Sequence, residues 1–127
     1  MHLKEIYKFF IQQGIAEDLR DKKQITVYLS SLTKKYRKLK GLEKKLFDKE
    51  DLANPYADTR ILYGNPDRPI KRILIGIDIG VGEILLADHL AKNGKKVDLI
   101  LSHHPLGAAL AGLSEVMRLQ AELLQGL

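Results

Sequence analysis

The chain has no cysteine, so disulfide bonds and thiolate-held metal are excluded, and the absence fits a reducing compartment. No stretch approaches the roughly 18 consecutive apolar residues that cross a bilayer. The opening Met1-His2-Leu3-Lys4-Glu5 also lacks the layout of a signal peptide. A soluble, cytoplasmic protein with no membrane partner is the expectation. Acidic residues are in deficit over one part of the chain only. Residues 1–50 hold thirteen Lys/Arg against seven Asp/Glu, whereas residues 51–127 hold eight against nine. The net charge of +5 therefore belongs to the N-terminal region.

The 127 residues fit one ordinary domain, and a chain of this size buries roughly two-thirds of its unfolded surface. Leu3, Ile6, Tyr7, Phe10 and Ile11 recur at helical spacing and predict a first helix over residues 3–13, with Gly14 as its C-terminal cap. Asp21 with Gln24 three places on has the form of a capping box. Ile25, Tyr28, Leu29, Leu32, Tyr36 and Leu39 then make one stripe that stops at Gly41. A third helix is expected from Leu42 to Lys49. The Lys-rich stretch from Lys34 to Lys45 reads as the wet face of these helices, with attraction to nucleic acid or an anionic surface as the alternative.

Turn chemistry takes over from Asp51 to Lys71, where Asn54-Pro55, Gly64-Asn65-Pro66-Asp67 and Pro69 interrupt any helix. Between these breakers Thr59 to Tyr63 can form a brief strand. Arg72 to Asp78 is a near-continuous β-branched run, the pattern of a strand buried on both faces. A helix carrying Val81, Ile84, Leu85 and Ala91 follows and stops at Asn93-Gly94, and Val97 to Leu101 forms the next buried strand. Strand, helix and strand make a βαβ unit with parallel strands. The last helix, residues 108–125, is apolar on a wide arc through Leu110, Leu113, Val116, Met117, Leu123 and Leu124. The expected class is α/β: an N-terminal helical arm, then a hairpin and a βαβα unit with an incomplete, mostly parallel sheet. Residues 1–50 form the basic arm in this reading, and residues 51–127 the front part of a truncated α/β domain.

Ligands of such sheets gather beyond the carboxyl ends of the strands. Asp78 ends one strand and His103-His104-Pro105 ends the other, so these side chains are expected to meet at one edge. Neutral imidazole suits zinc, iron, nickel or manganese. Neighbouring side chains of a strand point to opposite faces, so two adjacent histidines serve one site only if the backbone bends, which Pro105 and Gly107 favour. Asp78 can contact a metal-bound water or cap the following helix. Asp98 lies at the opposite edge and reads as structural, while His2 and His89 read as surface residues. The Gly76-Ile77-Asp78-Ile79-Gly80 string resembles the first phosphate loop of actin-like and sugar-kinase ATPases. It departs from that loop in lying mid-chain and running into a helix.

Three stretches together resemble the Nif-three-like proteins, also called GTP cyclohydrolase I type 2 homologues. DTRILYGNPDRPIKRILIGID is similar to the family's front hairpin, and VDLILSHHPLG to its metal motif. The N-terminal helical region, NPYADTRILYG and VGEILLADHL resemble a longer prokaryotic branch. The resemblance implies a hydrolase-like site for two divalent metal ions, with His103 and His104 as ligands, an unidentified small-molecule substrate and a homo-oligomer in the complete protein. The family's other ligands, an acidic residue from a later strand and a distal His-x-x-x-Glu, have no counterpart up to Leu127. The chain is expected to be inactive alone. The alternative, from a different class, is a non-enzymatic interaction or nucleic-acid-binding module that uses the basic arm.

Overall fold

The computed structural model describes residues 1–125 and begins with α1 (Leu3–Glu17). The first N–H groups of a helix have no partner within it. Here the loop that leads to the sheet supplies them: Leu3 N–H donates to the Arg68 carbonyl at 3.0 Å and Lys4 N–H to the Pro66 carbonyl at 2.8 Å. The helix does not stop at Gly14 as its sequence suggests. Gly14 instead permits a close approach, since a Cβ there would stand 2.8 Å from Cε2 of Tyr56. The Tyr56 hydroxyl donates to Asp18 Oδ2 at 2.9 Å, just past the helix end, and Arg20 closes on the same carboxylate.

Helix α2 (Lys22–Lys38) starts as its capping box requires, with Asp21 accepting from Lys23 N–H at 2.9 Å and Gln24 accepting from Asp21 N–H at 2.8 Å. The expected apolar stripe is its covered side, though only Ile25 is fully buried. The third helix is shorter than its pattern suggests. Helix α3 (Gly41–Leu46) gives way to a 3-10 turn (Lys49–Leu52) because Asp48 caps that turn, accepting from Glu50 N–H at 2.9 Å.

Thr59 to Tyr63 is not paired in a strand ladder. Side chains hold its backbone instead. Arg60 turns inward, donating to the Tyr56 and Thr59 carbonyls and to Asp51 Oδ1. Asn54 donates to the Thr59 carbonyl at 2.8 Å. Past the Gly64-to-Asp67 turn, the antiparallel pairing forms with the start of the chain, as a bridge between His2 and Pro69.

Strand β1 (Ile73–Gly76) pairs in parallel with β2 (Leu99–Ser102), Ile73 opposite Leu99 and Gly76 opposite Ser102, and α4 (Val81–Lys92) connects them. The class is α/β, with a helical N-terminal region and an open parallel pair. Neither strand is buried on both faces, however. Ile75 is 67% exposed and Ile77, just beyond β1 on the same face, 64% exposed. Continuous β-branching reports an affinity for strand geometry, whereas burial depends on what lies over the face, and among the described residues nothing covers this one. The packed centre sits at the opposite end of the strands from the histidines, where Leu3, Ile6 and Ile70 meet Ile61 and Leu99.

The last helical region divides into α5 (Gly107–Ala111) and α6 (Leu113–Gln125). Gly112 between them lies against Ala57, whose Cβ and carbonyl oxygen would each be 2.9 Å from an added Cβ. Leu110, Met117 and Leu124 remain exposed, so the wide apolar arc lacks full cover. The chain exposes 9620 Å², against about 6,800 Å² for a compact monomer of its mass. No described helix is long and apolar enough to cross a membrane.

Candidate metal centre

The histidine pair is placed by backbone hydrogen bonds that continue past the last ladder residues. His103 N–H donates to the Gly76 carbonyl at 3.0 Å and His104 N–H to the Ile77 carbonyl at 2.8 Å. In a regular strand, successive N–H groups point to opposite sides. Two consecutive donors to one neighbour therefore mark a twist in the backbone, and it occurs before Pro105 rather than at it. Ser102 stabilises the bend, its hydroxyl lying 2.8 Å from the His104 carbonyl and 3.3 Å from the Ile77 carbonyl. The two imidazoles end up on one side, stacked with centroids 5.3 Å apart and planes 30° apart.

Asp78 comes from the other strand. Its Oδ1 lies 2.7 Å from His104 Nδ1, so the expected meeting of the two strand ends occurs. The carboxylate does not cap α4. That task falls to Glu83, which accepts from Gly80 N–H at 2.8 Å. The backbone donors hold the Glu83 carboxyl below its usual range. With Asp78 at Nδ1, the Nδ1–H tautomer is favoured and the Nε2 lone pair points away from the carboxylate, the arrangement in which an outer carboxylate orients a ligating imidazole. Both side chains are more than half exposed.

The other candidates stay apart. Asp98 accepts from the N–H groups of Lys71 and Arg72, each at 3.0 Å, and these bonds lower its pKa. It secures the start of the sheet, as its position suggests. His89 lies in α4 beside Asn93, and the His2 backbone N–H donates to Glu5 at 2.6 Å. Ser102 was not singled out by its sequence. Its hydroxyl donates to the His104 carbonyl two positions on, a bond that no sequence pattern marks.

Among the described residues, no three His, Asp or Glu side chains are grouped to hold an ion. With one Asp78 oxygen engaged by His104, the site offers two imidazoles, short of the three or four protein ligands of a zinc centre. The described residues thus do not form a complete centre. Comparison of the chain with family models, curated proteins and solved structures yields no match.

Proposed function

We infer that this chain is the ligand-donating front portion of a hydrolase-like protein of the Nif-three-like kind, contributing His103 and His104 to a site for two divalent ions. The observation that carries this reading is the bend at Ser102. It puts both imidazoles on one side while Asp78 orients one of them. A histidine pair in a solvated loop has no need of this arrangement. The HHP motif and the hairpin-like sequence before β1 support the same reading. The substrate is a small molecule that the site does not specify, and further ligands come from outside the described residues.

Two nitrogen ligands predict weak uptake of zinc, manganese, nickel or ferrous ion by the chain alone. Titration calorimetry of the chain and of the His103→Ala, His104→Ala variant is the test. Measurable uptake that disappears in the variant supports the reading. Equal, negligible uptake in both would leave the histidines without a metal role.

A further inference from the structure

Helix α3 carries two leucines that stand largely exposed. Leu42 is 70% exposed and Leu46 75% exposed, and their spacing of four residues puts them on one side of the helix with Lys45 beside them. The segment leading to the leucines is strongly basic, with the acidic residues Asp48, Glu50 and Asp51 beginning only after Phe47. From Lys34 to Leu46 the chain has seven basic residues, Lys34, Lys35, Arg37, Lys38, Lys40, Lys44 and Lys45, against the single acid Glu43. All seven are exposed, and none joins a carboxylate in an ion pair among the described residues. Three of them lie in the last turn of α2, which leads directly to the leucines.

A solvated helix face accounts for the lysines and not for the leucines. We propose that this surface docks on an anionic lipid bilayer, with Leu42 and Leu46 entering the acyl boundary and the surrounding lysines meeting the headgroups. Two observations favour lipid over nucleic acid. Bare leucines gain from an apolar boundary and gain nothing from a phosphate backbone in water. A single-stranded nucleic acid needs free aromatic faces for its bases, and the rings here are occupied: Tyr36 lies 5.1 Å from Phe47, with Lys44 Nζ 5.1 Å over its face. The surface is separate from the histidine site and does not depend on the metal reading.

Flotation of the chain with vesicles of phosphatidylcholine and phosphatidylserine, against phosphatidylcholine alone, tests the proposal. The expected result is binding to the anionic vesicles only, decreasing as salt is raised. The Leu42→Gln, Leu46→Gln variant is expected to lose at least about tenfold in binding, since each leucine gives up burial in the boundary. A separate Lys40→Gln, Lys44→Gln, Lys45→Gln variant is expected to lose about tenfold or more. Because both leucines are exposed, their replacement should leave the thermal unfolding curve unchanged. Absence of vesicle binding, binding unaffected by the leucine replacements, or preference for duplex or single-stranded oligonucleotide over vesicles would each overturn the proposal.

Discussion

Gly14 and Tyr56 touch across the junction between α1 and the loop before the sheet, where a Cβ on Gly14 would stand 2.8 Å from Cε2 and 3.1 Å from Cζ of the ring. The ring cannot swing aside freely, because its hydroxyl is tied to Asp18. By helix propensity alone, Gly14→Ala should stabilise α1 by up to about 1 kcal/mol. The contact reverses that sign. Overpacking predicts a net loss of about 1–3 kcal/mol in urea unfolding, and a stability gain would show that the ring yields.

In the proposed site, Asp78 would act on a metal only through His104, which it contacts at 2.7 Å. Asp78→Asn keeps the size of the side chain and removes the charge that fixes the imidazole tautomer. Loss of such an outer partner costs about 10–100-fold in metal affinity, so a fall in that range is expected in calorimetry, with the circular dichroism spectrum unchanged. Unaltered affinity would leave the 2.7 Å contact a structural one.

Asn54 is 4% exposed and uses its whole amide, donating to the Tyr7 hydroxyl and the Thr59 carbonyl and accepting from Tyr56 N–H. Asn54→Ala leaves these half-buried partners without the amide that joins them. A loss of about 2–3 kcal/mol is expected, measured by chemical unfolding, and a loss below about 0.5 kcal/mol would mean that water replaces the amide.

The Tyr7 phenol is pushed up to about 12, first by burial and then by the hydrogen bond it donates to Glu50. Its folded pKa exceeds the unfolded value of about 10, so the stability it contributes is fully present below pH of about 10 and is lost as pH rises toward 12. Tyr56 is shifted in the same direction by burial and by Asp18. Stability measured across that alkaline window should fall less steeply in Tyr7→Phe than in the parent. Equal slopes would place the alkaline transition elsewhere.

The bare face of β1, with Ile73 and Ile75 on one side and Ile77 just beyond, predicts concentration-dependent self-association. Sedimentation velocity should show larger species that diminish in the Ile75→Lys variant. A monodisperse monomer in the parent chain would remove this expectation.

The legible parts of the molecule were those with local causes. Asp21 and Gln24 marked the start of α2 because a capping box closes within four residues. The course of α4 and the meeting of Asp78 with His104 followed from one βαβ unit. Misread positions had distant causes. Gly14 looked like a cap because Tyr56, which needs its missing Cβ, is far along the chain. The segment Thr59–Tyr63 looked like a strand, but Arg60 is drawn to Asp51 and the backbone follows. β1 is less covered than its composition implies, because composition describes a strand and not its neighbours. At the site, Pro105 and Gly107 suggested the bend, while Ser102 makes it through bonds that the residue pattern does not display.

The Met1 carbonyl accepts from Ile70 N–H at 2.8 Å, and Leu3 N–H donates to the Arg68 carbonyl. The first residues are thus a clasp on the segment that feeds β1, at the end of the sheet away from the histidines. Proteolytic trimming as far as Lys4 would unfasten Arg68 and Ile70 together and leave the packing around Ile6 as the main tie between α1 and the strands. The Asp78–His104 pair, held by bonds at the other end, would be the last part of the sheet to register the cut.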